Sequence, residues 1–232
     1  MDNIRNEILT AIRRNLAKSK PFDALHQAHH SAAQPAEALI EEESFVENAP
    51  IVSVAVSSTD LVENFRETLS LVGGTVVTVG DLNGAALEID KIIESLNVKR
   101  IALSDAELVG QTKKLLNAGG EFIEKASAAE LFECDLGITS AQFGISETGT
   151  LVLESEKEFN RLTSLVPPVH VCLLEAKSIR QTLGEVLATL EKDLSRTITF
   201  ITGPSRTSDI ELTLAIGVHG PAQLFVILIS EK

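Results

Sequence analysis

Four short segments of the sequence place charged or hydroxyl side chains beside glycine or proline. They are residues 144–150, 160–170, 202–211 and 217–221. Glycine and proline shape tight loops, and loops held by a rigid scaffold carry a large share of binding and catalytic residues. We therefore expect any functional site of this chain to be built from these four segments.

The segment 202–211, TGPSRTSDIE, is the best candidate for binding an anion. It follows a predicted buried strand, and we predict a helix that begins near Thr207. The first N–H groups of such a helix are unpaired and lie at its positive dipole end, which suits a carboxylate or phosphate. In the alternative, Ser208 or Asp209 caps the helix and Arg206 pairs with Glu211. The predicted ligand-binding residues are Gly203, Pro204, Ser205, Arg206, Thr207, Asp209 and Glu211.

Glu147 stands in a glycine-flanked turn before a predicted buried strand, in the sequence GISETGT. A carboxylate in such a turn is a candidate nucleophile, acid or base, or ligand clamp. We predict Glu147 as a catalytic residue and Thr148 and Gly149 as ligand-binding residues. The alternative is a hairpin turn with a solvated glutamate.

Two histidines and an arginine complete the candidate set. His219 has glycines on both sides in GVHGP, which exposes the ring, so His219 is the second predicted catalytic residue, an acid or base; the alternative is a turn residue. Arg161 either clamps an anion or forms an ordinary surface pair. His170 lies in an apolar strand, where we expect a core histidine rather than a catalytic base. We predict that Glu147, Arg161, Arg206 and His219 converge on one cleft.

Strands and helices alternate from residue 51 to residue 139, which indicates an α/β fold with a mostly parallel sheet flanked by helices. Ligands of such sheets bind beyond the carboxyl ends of the strands, and we expect the four segments there. Further strands are predicted at 150–153, 169–174, 197–202 and 224–229, and helices at 177–190 and 209–216.

The chain is predicted to divide into an N-terminal amphipathic helix with a linker, residues 1–43, and an α/β domain, residues 44–232. The apolar stripe of the helix is expected to pack on the domain, on a partner or on a second copy of the chain. The linker contains His26, His29 and His30. No acid or cysteine at a fixed spacing completes a metal site with them, so we expect a polar loop and no bound metal.

The composition excludes several classes of protein. A formal net charge of −13 repels phosphate backbones, so no nucleic-acid partner is expected. The only cysteines, Cys134 and Cys172, are too few for an iron–sulfur cluster held by four thiolates, so none is expected on this chain. No apolar run reaches the ~18 residues of a membrane helix. Because the N-terminus does not read as a signal peptide, the predicted location is the cytoplasm.

Four stretches of the C-terminal part carry a resemblance to a known family when they are taken in order. They are SETGTLVL (146–153), Arg161 with SLVPPVHV (164–171), TGPSRTSDIE (202–211) and GVHGP (217–221). Together they resemble the LUD-domain family, and within it the lactate utilisation protein C branch. The resemblance implies a fold like that of the glucosamine-phosphate isomerase, ribose-phosphate isomerase and CoA-transferase superfamily.

The resemblance also implies a role in the bacterial oxidation of L-lactate to pyruvate. Companion proteins in that system carry cysteine-rich iron–sulfur motifs, so this chain is expected to be the cluster-free subunit, with iron–sulfur clusters on its partners and a small anionic ligand of its own. The alternative is an autonomous enzyme of isomerase, CoA-transferase or cyclo-ligase type. That alternative rests on SETG (146–149), which is similar to the glutamate–glycine turn of CoA-transferases, where the glutamate is the covalent nucleophile.

Overall fold

The computed structural model describes residues 58–158, 160–191, 195–208, 214–216 and 220–230. The predicted N-terminal helix, the linker with its three histidines and the strand predicted at 51–56 lie outside these residues. So do three of the candidate site residues, Asp209, Glu211 and His219.

The described strands alternate with helices over most of the chain. The strands are β1 (Thr75–Val79), β2 (Arg100–Leu103), β3 (Glu121–Glu124), β4 (Leu136–Ser140), β5 (Phe143–Ile145), β6 (Thr150–Glu154), β7 (Val169–Glu175), β8 (Ile179–Arg180), β9 (Ile198–Ile201), β10 (Arg206–Ser208), β11 (Leu214–Ile216) and β12 (Gln223–Ile229). The helices are α1 (Ser58–Leu71), α2 (Leu82–Ser95), α3 (Glu107–Lys113), α4 (Ala128–Leu131), α5 (Ser155–Glu158) and α6 (Leu183–Leu190), with 3₁₀ helices at Arg161–Ser164 and Ala176–Ser178.

Six of these strands form one sheet in the order β1-β12-β7-β4-β2-β3. Every neighbouring pair in it is parallel. Helices α2 to α4 connect its first four strands in chain order. The predicted α/β fold with a mostly parallel sheet flanked by helices is confirmed.

The two faces of this sheet belong to two separate buried clusters. Ile89 of α2 shares one cluster with Val171, and Phe65 of α1 shares the other with Cys172. Because side chains alternate along a strand, covering both faces buries β7 from Val169 to Leu174. Such burial is usual for strands of parallel sheets.

A second sheet, in the order β8-β5-β6-β9, departs from the sequence prediction. Strands β5 and β6 form an antiparallel hairpin, and β6 pairs antiparallel with β9. Helix α6 packs on this sheet through Val186 and Leu190, which share a buried cluster with Ile145 and Val152. The segment that holds Glu147 is therefore the turn of a hairpin, as one of the two alternatives stated.

The predicted start of a helix near Thr207 is wrong, and so is the end of the helix predicted at 209–216, where residues 214–216 form a strand. Residues 209–213 lie outside the described residues. Thr207 lies in β10, and β10 pairs antiparallel with β11, which Leu214 begins. A short apolar run after Ser and Asp fits a capped helix and a strand equally well, and strand pairing decides here. The helix predicted at 177–190 is likewise shorter, because residues 176–180 form a 3₁₀ helix and β8 before α6 begins at Leu183.

Candidate functional site

A cavity of about 390 Å³ lies where three of the four sequence segments meet. Its size is within the usual range of small-molecule sites, about 300–1,000 Å³. We call it the motif cavity. It is lined by Ser164, Leu165, His170, Phe200, Ile201, Thr202, Gly203, Pro204, Ser205, Gly220, Pro221 and Leu224.

The motif cavity lies near the amino ends of two parallel strands, not beyond their carboxyl ends as predicted. His170 and Leu224, which are Cα partners across β7 and β12, are the second residues of their strands. The TGPS loop reaches this place because it follows β9 of the second sheet, and not a strand of the parallel sheet. The rule about carboxyl ends therefore does not apply to this loop.

Backbone hydrogen bonds hold the three segments together. The Ser205 amide donates to the Pro221 carbonyl at 2.8 Å, and the Ala222 amide donates to the Pro168 carbonyl at 2.8 Å. Each bond joins residues that are far apart in the sequence, so the cavity wall is a product of the tertiary fold.

The fourth segment reaches the cavity through a row of threonine hydroxyls. Thr148 Oγ1 lies 2.7 Å from Thr150 Oγ1, which lies 2.7 Å from Thr202 Oγ1 in the cavity wall. The segments 144–150 and 202–211 are therefore neighbours in space, and all four sequence segments gather at one place.

Two glycines seat these segments against the C-terminal part of α1. Gly149 has φ +62°, and a Cβ on it would lie 2.3 Å from the Leu69 amide nitrogen. Gly203 has φ +84°, and a Cβ on it would lie 2.6 Å from the Val72 carbonyl oxygen. Both positions favour glycine through their backbone angle and leave no space for a side chain.

His170 is a buried, neutral member of the cavity wall. Its side chain is 1% exposed, and burial lowers its pKa to about 3. Its Nε2 lies 2.8 Å from Thr139 Oγ1, whereas its Nδ1 has no hydrogen-bond partner among the described residues. An unpaired buried ring nitrogen costs free energy, so a bound group that supplied a partner would offset that cost. The prediction of a core histidine describes its burial but missed its place in the cavity wall.

Glu147 lies in the β5–β6 turn, outside the described cavity wall, and its side chain contacts the first residue of α6. Its Oε1 accepts a hydrogen bond from the Leu183 amide at 3.1 Å, and its own amide donates to the Gln181 carbonyl. The carboxylate thus satisfies one of the unpaired N–H groups that every helix N-terminus has. Glu147 and the adjacent Thr148 are exposed.

The two candidate arginines also lie outside the cavity wall. Arg206 is exposed, and its Nη2 donates to the Val72 carbonyl at 2.7 Å, just beyond the end of α1. Arg161 is exposed at the start of the 3₁₀ helix Arg161–Ser164, and within the described part of the chain it forms no ion pair. The predicted convergence of Glu147, Arg161, Arg206 and His219 on one cleft stays a prediction.

The described wall of the motif cavity contains no charged side chain. Its polar groups are hydroxyls, backbone amides and carbonyls, and the neutral His170 ring. Such a wall can bind the hydroxyl or carbonyl groups of a ligand. Burying a carboxylate in it without a counter-charge would be costly.

Both cysteines are free thiols buried in the fold. Burial raises the pKa of the Cys134 thiol and, more strongly, that of the Cys172 thiol, so both are unreactive under ordinary conditions. Over the described ranges, no three His, Cys, Asp or Glu residues are grouped so that they could hold a metal ion. The same part of the chain contains no helix that is long and apolar enough to span a membrane.

The chain folds as an α/β domain, and the motif cavity lies near the amino ends of two of its parallel strands. The LUD domain family model matches residues 13–229, so the chain belongs to the LUD-domain family.

Three similar proteins illustrate this membership. An uncharacterised protein of Neisseria meningitidis is 44% identical over 100 residues, which are 41% of this chain and 42% of that protein. The Lactate utilization protein C of Bacillus subtilis is 29% identical over 187 residues, covering 77% of this chain and 72% of that protein. The crystal structure of a DUF162 family protein from Deinococcus radiodurans aligns with a TM-score of 0.55 and 25% identity, over 75% of this chain and 99% of that chain.

Proposed function

We propose that this chain is the cluster-free, ligand-binding subunit of a bacterial system that oxidises L-lactate to pyruvate. The observation that carries the proposal is the gathering of all four family-like segments at the motif cavity. The name of the Bacillus subtilis relative supports the choice of lactate as the substrate of the system.

The chemistry of the cavity wall suits the uncharged end of a small hydroxy or keto acid. The hydroxyls of Thr202 and Ser205 and the neutral ring of His170 can pair with a hydroxyl or carbonyl group. Ser164 Oγ donates to the Arg161 carbonyl at 2.8 Å, so it can only accept a hydrogen bond from a ligand hydroxyl. The carboxylate of such a ligand would remain at the opening, because no charged side chain of the described wall compensates it.

The carboxylate needs a positive charge near the opening, and two arginines are candidates. Arg161 precedes the wall residue Ser164 by three positions, and Arg206 directly follows the wall residue Ser205. In our proposal they replace the predicted helix N-terminus as the source of positive charge. A guanidinium pairs with a carboxylate through two parallel hydrogen bonds.

The electrons released by lactate oxidation need an acceptor on another subunit. Two buried, separate thiols cannot form the four-thiolate site of an iron–sulfur cluster. We therefore propose that a cysteine-rich partner subunit carries the clusters, and that this chain contributes ligand binding to the complex.

Calorimetric titration of the whole chain with L-lactate, pyruvate and inorganic phosphate tests the ligand. We expect the two organic acids to bind. Ser205→Ala should lower their affinities about three- to tenfold, the usual value of one hydrogen bond. Thr189→Ala, on the exposed side of α6, is the matched control and should leave both affinities unchanged.

Co-purification with the cysteine-rich subunits tests the assembly. We expect a stable complex whose iron is carried by those subunits. Failure of both acids to bind the chain, alone and in the complex, would overturn the ligand proposal. Turnover by the purified chain alone would instead support the autonomous isomerase, CoA-transferase or cyclo-ligase alternative.

A further inference from the structure

A second cavity, of about 540 Å³, lies at the carboxyl ends of β2 and β3. We call it the carboxyl-edge cavity. It shares no described wall residue with the motif cavity. It is lined by Leu103, Ser104, Asp105, Ala106, Glu107, Val109, Gly110, Gln111, Lys113, Lys114 and Glu124.

The topology of the parallel sheet makes this edge a place where ligands are expected. Strands β2 and β4 are neighbours, but the chain leaves β2 for β3 on one side and leaves β4 for β7 on the other. The order of strands therefore reverses between β2 and β4, and α/β proteins bind ligands in the crevice beyond the carboxyl ends at such a point. The described wall of the carboxyl-edge cavity lies on the β3 side and contains no residue of β4. The cavity adjoins the crevice through Ser104, whose amide donates to the Ile138 carbonyl of β4 at 3.0 Å.

Ser104 supplies the independent indication of a ligand. Its side chain is 7% exposed, and its Oγ has no hydrogen-bond partner among the described residues. A buried hydroxyl without a partner costs free energy, whereas most buried polar groups are paired. Serine can both donate and accept, so a ligand hydroxyl would satisfy it in either direction.

The charges of the cavity wall narrow the class of ligand. Three carboxylates face two ammonium groups, so a phosphate or carboxylate would gain no net attraction. Several of these groups already have partners, since Lys113 pairs with Glu124 at 2.6 Å and Gln111 donates to Glu107 at 2.9 Å. Asp105 is less engaged, with Lys125 Nζ at 3.7 Å.

We propose that the carboxyl-edge cavity binds the vicinal diol of a sugar, either a free sugar or the ribose of a nucleoside. The Asp105 carboxylate would accept hydrogen bonds from the two hydroxyls, as acidic residues do for ribose in nucleotide-binding folds. Ser104 would pair with one of the same hydroxyls. Leu103, Ala106 and Val109 give the wall an apolar part against which a ring can pack. The proposal is independent of the proposed role in lactate oxidation.

Titration of the whole chain with adenosine, 2′-deoxyadenosine and D-ribose, followed by NMR chemical shifts, tests this site. We expect adenosine to bind. D-ribose should bind as well if the site contacts only the sugar and not the base. We expect 2′-deoxyadenosine to bind about tenfold more weakly, because one hydroxyl of the diol is missing. Ser104→Ala and Asp105→Asn should each lower the affinity for adenosine about tenfold. Ser205→Ala in the motif cavity should leave the affinity for adenosine unchanged.

Three results would overturn the proposal. They are no saturable binding of adenosine or D-ribose at millimolar concentrations, equal binding of adenosine and 2′-deoxyadenosine, and unchanged binding in both Ser104→Ala and Asp105→Asn. None of these results bears on the motif cavity, whose titrations use L-lactate and pyruvate.

Discussion

The two cavities are built in opposite ways. The motif cavity is assembled from distant segments, and its described wall has no charged side chain. The carboxyl-edge cavity comes almost entirely from residues 103–114, and five of its wall residues are charged. The motif cavity can be anticipated from the sequence, because its segments are rich in glycine, proline and hydroxyl residues. The carboxyl-edge cavity appears only once β2, α3 and β3 are in place, because the sequence of residues 103–114 reads as an ordinary helix start.

The largest expected effect concerns the backbone packing that supports the motif cavity. A Cβ on Gly137 of β4 would lie 2.1 Å from the Thr163 carbonyl oxygen, in the 3₁₀ helix that precedes wall residue Leu165. Gly137→Ala should therefore lower the free energy of unfolding by about 3 kcal/mol, the upper range for overpacking a core. Urea denaturation measures this.

Gly110 is the matched control on the side of the carboxyl-edge cavity. It lies in α3, and a Cβ on it would meet nothing within 4 Å. Gly110→Ala should raise the free energy of unfolding by about 0.5–1 kcal/mol, because alanine loses less backbone entropy in a helix. Equal effects of the two substitutions would contradict the difference in packing between the two regions.

Sequence reasoning predicted the parallel sheet because its signals are local and repeated. Strands such as β1, with the sequence TVVTV, alternate with capped amphipathic helices, and each unit predicts its own element. The second sheet could not be predicted in the same way. Its strand β5 has only three residues. Tertiary packing decides the pairing of β5 with β6 and β8, and of β6 with β9.

The candidate site was predicted in its segments but not in its geometry. Glycine and proline marked the TGPS loop correctly, but the helix start expected near Thr207 was wrong because Arg206–Ser208 pairs as a strand with Leu214–Ile216. Contacts such as that between Glu147 and Leu183 join residues 36 positions apart, and no local pattern reports them. The His170 Nδ1, which has no partner among the described residues, likewise becomes visible only when the surrounding strands are in place.

Arg206→Ala tests whether an arginine beside the motif cavity supplies the charge that its described wall lacks. If Arg206 neutralises the ligand carboxylate, the substitution should weaken the binding free energy of L-lactate and of pyruvate by roughly 1.5–3 kcal/mol, the range for a hydrogen bond to a charged group. The loss of its bond to the Val72 carbonyl should cost a further ~1 kcal/mol of folding stability. Calorimetry and urea denaturation separate the two. Lost stability with unchanged affinity would leave Arg206 as a structural residue at the end of α1.

The pH dependence of stability tests the burial of His170. Its pKa is about 3 in the folded chain and 6.5 ordinarily, so between these values the unfolded chain binds a proton that the folded chain does not. The contribution of His170 is therefore complete above about pH 6.5 and falls by up to about 1.4 kcal/mol per pH unit as the pH drops. His170→Gln should remove that part of the slope. Parallel slopes for wild type and variant between about pH 6.5 and pH 4.5 would show that the ring titrates normally.

The smallest expected effect separates Glu147 as a helix cap from Glu147 as a nucleophile. Its Oε1 accepts from the Leu183 amide, while Thr182 caps α6 independently. Glu147→Ala should therefore cost about 0.5–1 kcal/mol of folding stability. Glu147→Gln should cost less, because its amide oxygen can still accept that bond. Neither substitution should change L-lactate affinity, since Glu147 lies outside the described wall of the motif cavity.

Mass spectrometry after incubation with an acyl-CoA tests the enzyme alternative directly. A covalent adduct on Glu147 in the wild type and none in Glu147→Gln would establish a CoA-transferase-type nucleophile and refute the role of simple cap.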